Sequence, residues 1–307
     1  MGIVVYRAGL LTSIQDSGRW GTQALGVPVA GPMDSWSHRL ANLLAGNNPA
    51  AAALEITAVG PELVFEEPRT VAIAGAEFEG FLDGARWTTP AVLDARAGSR
   101  LVFGARSRGF RAYLAVAGGF DVPTVLGSRA TDLRSGFGGM QGRALRDGDR
   151  LIAGEGGASR RRPAAAPPPP KLPGNPSSLR VMPGPDEGDG EVFAALTRAL
   201  FAVAPQSDRM GYRLHGERIP AVAAPYVSGP VVAGAIQVPP SGDLLLLMAE
   251  RQTTGGYPVA GVVITADLPL AGQLAPGDRV SFEPCGLEEA ISALIAREQA
   301  LLALEAA

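Results

Sequence analysis

Forty glycines and 26 prolines in 307 residues break the apolar content of this chain into short runs. Runs of that length between turn-forming residues build strands rather than long helices, so the expected architecture is mainly β with a few helices. Hydrophobic residues make up 46% of the chain, enough for two cores of ordinary domain size. No apolar run reaches membrane-spanning length. The start, MGIVVYRAGLLTSIQD, lacks the basic, apolar and small-residue pattern of a secretion signal, which makes a cytoplasmic location the expectation.

One stretch divides the chain. Residues 158–178, ASRRRPAAAPPPPKLPGNPSS, are too proline-dense to join a sheet and read as a semi-rigid linker. It separates an N-terminal β-domain, residues 1–157, from a C-terminal one, residues 179–307. The halves share an outline: each opens on a short apolar strand and a glycine turn, and each closes on L-x-x-G-D-R plus an aliphatic residue, at Leu145–Leu151 and Leu274–Val280. That recurrence points to a duplicated β-domain, each half a closed or half-closed barrel. Three helices are predicted. The first runs from Ser35 to about Ala45 with Asp34 as N-cap and Gly46 as stop, the second lies near Glu191–Val203, and the third spans Leu287 to about Leu304. His38, on the first helix, reads as a surface or packing residue.

The side-chain inventory excludes several chemistries. Cys285 is the single cysteine, so there is neither an intramolecular disulfide nor a cysteine-rich zinc site. Lys171 is the single lysine and lies in the linker, which leaves no GxxxxGK[ST] phosphate loop and no Schiff-base lysine. A net charge of −3 gives no electrostatic reason to expect nucleic-acid binding. Any chemistry must come from carboxylates, hydroxyls, arginines and backbone groups, an inventory suited to one subunit of a larger enzyme. No metal site is expected.

Polar groups concentrate between Gly242 and Pro269. Leu244–Met248 and Val259–Ile264 read as buried strands joined by a hairpin-like turn that carries Arg251, Gln252, Thr253, Thr254, Gly255, Gly256 and Tyr257. A guanidinium, an amide and hydroxyls there suit a carboxylate, phosphate or amide ligand, although a capped tight turn explains the same pattern. Near the N-terminus Gln15, Asp16 and Arg19 form a second polar group, with Asp34 either a helix cap or a catalytic carboxylate. Arg209 and Tyr212 in SDRMGYRLHG are ligand contacts or part of a salt-bridged hairpin. Asp16, Asp34 and Asp267 are the candidate general bases, by chemical type alone.

Taken together, IQDSGRWG, GPMD, AAALEIT, YLAVAGGFDVP, VLGSRATDL, RMGYRLHG, GAIQVPPSG, RQTTGGYP and TADLP resemble the family of the 5-oxoprolinase C subunit, also described as allophanate hydrolase subunit 2. The family includes the Kip-type antagonist of a kinase inhibitor and is similar to half of the carboxyltransferase domain of biotin-dependent urea carboxylase. The resemblance implies a cyclophilin-like β-barrel in each half and a partner of related fold, the Kip-type inhibitor-like B subunit. With the A subunit the assembly would couple ATP hydrolysis to opening 5-oxo-L-proline to L-glutamate, with ATP held by or shared with the partners. On that reading Arg251 with Gln252, Thr253 and Thr254 stabilises developing charge, and Arg209, Tyr212 and Gln237 form the supporting wall. The alternatives are a regulatory antagonist that binds a kinase-inhibitor partner, and a carboxyltransferase component.

Overall fold

Short β-branched and aliphatic runs set between glycine turns do form the bulk of the chain. In the computed structural model, residues 2–155, 171–185, 190–220 and 227–305 are described. Residues 158–170 of the expected linker lie outside them. The chain divides into two units, one of Met1–Trp20, Ala30–Leu172 and Ala300–Ala307, the other of Gly21–Val29 and Pro173–Gln299.

In the first unit the strands are β1 (Ile3–Arg7), β2 (Leu11–Gln15), β3 (Ala53–Thr57), β4 (Glu62–Phe65), β5 (Arg69–Leu82), β6 (Ala85–Thr88), β7 (Ala91–Ala95), β8 (Arg100–Val116) and β9 (Arg150–Leu151), with helix α1 (Ser35–Leu44) between β2 and β3. They build one nine-stranded sheet in the order β2-β3-β8-β4-β1-β9, with β5 on β6, β7 and β8. The sheet curls because β8 is long enough to pair β4 near its start and β3 near its end, with β5 beside it along its length. Ile14, Leu54, Ile56, Leu63, Phe65, Ile73 and Leu114 fill the concave core. Helix α1 lays Leu40, Ala41 and Leu44 on Ala72, Ala74, Tyr113 and Ala115 from the other face.

The second unit holds β10 (Ser177–Pro183), α2 (Glu191–Arg198), β11 (Leu200–Val203), β12 (Gly211–Gly216), β13 (Gly229–Pro230), β14 (Ala235–Gln237), β15 (Leu244–Leu247), β16 (Thr254–Gly255), β17 (Val259–Val263), α3 (Leu268–Gly272), β18 (Arg279–Pro284) and α4 (Leu287–Glu305). Seven of these strands close a barrel in the order β10-β17-β14-β15-β12-β11-β18. The expectation of a mainly β chain with barrel-type sheets therefore holds.

Helix α1 begins at the Asp34 cap and stops at Ala45, followed by Gly46 with φ 78°. The two GDR turns are alike in detail. Gly148 and Gly277 both take the left-handed conformation, φ 87° and 90°, where L side chains are strained. The aspartate after each accepts a hydrogen bond from the backbone three residues back, Asp149 from Arg146 N and Asp278 from Ala275 N, both at 2.8 Å.

Two expectations are corrected. The second helix ends at Arg198, not Val203: Ala199 is extended with ψ 158°, and Leu200–Val203 is a barrel strand pairing β12 and β18. Leu244–Leu247 and Val259–Val263 are not the arms of a hairpin. Each pairs antiparallel with β14, one on either side, so they run parallel to each other, and the chain between them must travel the length of β14 before β17 can start. At the ends of these strands Ala235, Leu247 and Val259 form a small cluster with Val231 and Val262.

Candidate functional site

The predicted site residues fall into two clusters, one in each unit. In the first unit, β2 ends on Gln15, which is fully buried. Its Nε2 donates to Ser13 Oγ at 3.0 Å and Thr131 O at 3.2 Å, while Oε1 has no partner among the described residues. Asp16 accepts from Gly18 N at 3.0 Å, and from Ser128 Oγ and Arg129 N at 2.5 Å each. Arg19, wholly buried, donates to Val125 O and Ala130 O and lies 4.6 Å from the Phe137 ring centre. Burial lowers its pKa, against the raising effect of Asp16 and Asp132.

Asp34 caps α1, accepting from Ser37 N at 2.9 Å and Ser37 Oγ at 2.6 Å. Its own N–H donates to Tyr113 Oη, which in turn donates to Glu55 Oε2 at 2.7 Å. Met33 N donates to that same Glu55 oxygen, and Arg111 Nε stands 3.8 Å from the other. His38 is buried beneath this network, its Nε2 at 3.1 Å from the Gln15 carbonyl and its ring edge-on to Tyr113. The carbonyl can only accept, so Nε2 carries the proton. Burial lowers the His38 pKa and raises that of Tyr113. Glu55, Arg111 and Tyr113 escaped sequence reasoning, whereas His38 takes the packing place that was one of its two expected roles. A glutamate at the centre of the apolar strand ALEIT was the available signal, because a carboxylate enters a fully buried strand only with partners.

The second cluster is carried by the segment from Met248 to Pro258. Arg251 opens it and is only 8% exposed. Its Nη1 donates to Met248 O at 3.3 Å, its Nε is buried with no partner, and among the described residues no carboxylate pairs with it. Desolvation alone lowers its pKa, yet a guanidinium stays charged at neutral pH. Gln237, at the end of β14 and 0% exposed, donates Nε2 to Tyr257 O at 3.3 Å and leaves Oε1 unpartnered among the described residues. Gly255 lies directly over it: a Cβ there would come within 2.3 Å of Gln237 Nε2. Thr253 O accepts from Val231 N, and Thr254–Gly255 pairs with Gly229–Pro230. Gln252 and Thr253 are half-buried, whereas Thr254, Gly256 and Tyr257 are exposed.

Arg209 and Tyr212 sit in the same unit with different attachments. Arg209 Nε donates to Glu250 Oε1 at 2.6 Å, both side chains buried, and Tyr212 is a buried β12 residue opposite Leu246. Asp267, the third candidate base, takes Arg180 through Nε at 3.0 Å and Nη2 at 2.7 Å and also accepts from Arg180 N. Among the described residues, no group of three or more His, Cys, Asp or Glu side chains could hold a metal ion, and no helix is long and apolar enough to cross a membrane. A surface cavity of about 500 Å³ in the first unit, lined by Arg7, Leu10, Val59, Pro61, Phe103 and Asp147, contains no predicted site residue.

Chemically, the two clusters differ. Around Asp16, Asp34 and Glu55 every carboxylate is held by donors from the fold. Among the described residues, Arg251 leaves a cationic donor and Gln237 an amide acceptor unspent, and the amide acceptor has a counterpart in the first cluster, at Gln15.

Residues 25–284 match the family described as carboxyltransferase domain, subdomain A and B. The chain is 40% identical to the C subunit of Escherichia coli 5-oxoprolinase over 94% of its own length and 93% of that protein. The crystal structure of TTHA0988 shares 37% identity at a TM-score of 0.82, and the chain spans only 55% of it. Kluyveromyces lactis urea carboxylase superposes on 98% of this chain at 31% identity and a TM-score of 0.91, and the match takes up 29% of that longer protein.

Proposed function

This chain belongs to the carboxyltransferase-domain family, subdomains A and B, and from that premise we propose that it is the C subunit of an ATP-dependent 5-oxoprolinase. The assembly opens 5-oxo-L-proline to L-glutamate together with the A and B subunits, in the cytoplasm. The reaction is taken from the relative 40% identical over almost the full length of both proteins. The observation that carries it to a place in this chain is Arg251, a buried guanidinium that meets a single carbonyl and no carboxylate among the described residues. Burying a cation without a counter-charge is costly, and an anionic substrate removes that cost when it binds.

An unstrained lactam is opened by activating its carbonyl oxygen, and phosphorylation from ATP does this. Arg251 holds the substrate's negative charge, and the backbone N–H of Gly256 stands on the same segment to stabilise charge on the oxygen, the Gly255 N–H being taken up in pairing with Gly229. The chain has no lysine phosphate loop, so the nucleotide belongs to the partner chains or to a shared site, and the chain alone is inactive. Asp16 and Asp34 serve in this scheme as holders of the loop and helix around them rather than as bases.

A second reading is favoured by the superposition on urea carboxylase over 98% of the chain: a carboxyltransferase component that receives carboxybiotin from another protein. Co-expression with the candidate A and B subunits, purification of the complex and assay of ATP-dependent glutamate release separates the two. Turnover that needs all three chains establishes the 5-oxoprolinase reading. A stable complex that does not turn over 5-oxoproline but accepts carboxyl groups from carboxybiotin overturns it.

A further inference from the structure

The orientation of the Gln237 amide is fixed by its surroundings. The atom 3.3 Å from the Tyr257 carbonyl must be the donor, Nε2. Gly255 holds the same nitrogen from above, at a distance that no side chain would permit. The amide therefore cannot turn, and its oxygen stays aimed where no donor of the described residues reaches it, although the side chain is 0% exposed. Native folds seldom leave such an acceptor empty.

A few residues before Gly255, on the same segment, Arg251 has the opposite surplus, a charged donor whose Nε finds no acceptor among the described residues. One empty acceptor and one empty cationic donor complement a ligand that offers an N–H and a carboxylate close together. A phosphate group offers acceptors only and would set its oxygens against Gln237 Oε1. A lactam bearing a carboxylate on the carbon next to nitrogen offers both.

Resting on the 5-oxoprolinase reading above, we propose that Gln237 Oε1 accepts the lactam N–H while Arg251 holds the carboxylate. Gln237 is then the residue that selects an amide over an ester, and Gly255 is the residue that keeps it pointed. A site built to accept an N–H rejects the analogue lacking it, because its own buried oxygen then faces a lone pair.

The experiment uses the reconstituted three-chain complex and compares kcat/KM for 5-oxoproline with that for the lactone analogue, in which ring oxygen replaces N–H. ATP consumption is the readout, corrected for uncatalysed ring opening. The quantity of interest is the change in the lactam-to-lactone ratio between variants, which cancels the intrinsic reactivity of the two rings. Gln237→Met removes the acceptor and lowers the ratio by about a hundredfold, the scale of losing a buried hydrogen-bond partner. Gln237→Glu keeps an acceptor but loses the bond to Tyr257 O, and it preserves the preference for the lactam. Arg251→Met lowers both substrates and leaves the ratio alone. If Gln237→Met slows both substrates equally, Gln237 is only a strut for the loop and the inference is overturned while the 5-oxoprolinase reading stands. A wild-type complex that turns over neither ring overturns both.

Discussion

Asp16, Asp34 and Glu55 in the first unit are as deeply buried as Arg251 in the second, yet the fold treats them differently. Asp16 accepts three hydrogen bonds, Asp34 two from Ser37, and Glu55 one each from Met33 N and Tyr113 Oη with Arg111 beside it. Arg251 finds one carbonyl. Burial of a charged residue is therefore not what marks a site in this chain; burial without compensation is. In the first unit the acids tie α1 and the loops around β2 to the sheet, a structural role that consumes their capacity. In the second, capacity is held in reserve for something outside the chain.

The largest test of that contrast lies within the second unit itself. Arg209 and Glu250 are both buried and paired at 2.6 Å, so Glu250→Ala strands a buried guanidinium and destabilises the fold by about 3–5 kcal/mol. Replacing both, with Arg209→Met and Glu250→Leu, restores most of that loss, as read from urea denaturation midpoints. If the single variant is as stable as wild type, an unpaired buried arginine is cheap here and Arg251 loses its significance. Next in size, Arg251→Met removes a guanidinium that the fold does not satisfy. Stability is unchanged or slightly raised, whereas kcat/KM of the complex falls roughly a hundredfold, the equivalent of one or two charge-assisted hydrogen bonds. A drop in stability matching the drop in activity would make Arg251 structural. In the first unit the opposite split is expected. Asp34→Ala costs about 1 kcal/mol as a lost N-cap, with kcat/KM per folded complex unchanged, and a selective loss of turnover would return Asp34 to the catalytic list.

Features set by local chemistry were readable in the sequence. The Asp34 cap with the Gly46 stop and the twin GDR turns each depend on a few adjacent residues, and each is found where those residues place it. What could not be read depends on partners distant in sequence. Leu244–Leu247 and Val259–Val263 looked like hairpin arms because a strand's pattern reports its burial, not its neighbour, and β14, which separates them, is only three residues long. Leu200–Val203 continues the apolar run of α2, so the change from helix to strand is decided by the barrel edges at β12 and β18 that receive it. For the site, residue types were visible and their state of pairing was not. Arg209 and Arg251 look equivalent along the chain, and only Glu250, adjacent to one in sequence and bonded to the other in space, distinguishes them.

His38 extends the comparison to protons, with the smallest expected effect. Its imidazole is buried, and burial holds its pKa below that of the unfolded chain, near 6.5 for a free histidine. As pH falls through about 6.5 the unfolded chain takes up a proton that the folded chain does not, so the neutral side chain's contribution is complete above that value and is lost below it. The slope attributable to this one group approaches about 1.4 kcal/mol per pH unit below the unfolded pKa, until the folded-state pKa is reached. In His38→Gln the amide can still donate to the Gln15 carbonyl but cannot titrate. The variant is less stable than wild type at pH 8, and the gap narrows between pH 7 and 5 when denaturation midpoints are compared. A gap constant across that range would mean that His38 is protonated in the fold as readily as in the unfolded chain, with the negative field of Asp16 and Glu55 outweighing burial. His38 would then join Arg19 and Arg111 as a buried cation of the first unit, and the contrast between acids held by the fold and an arginine left open would have to be drawn at His38 instead of at Arg251.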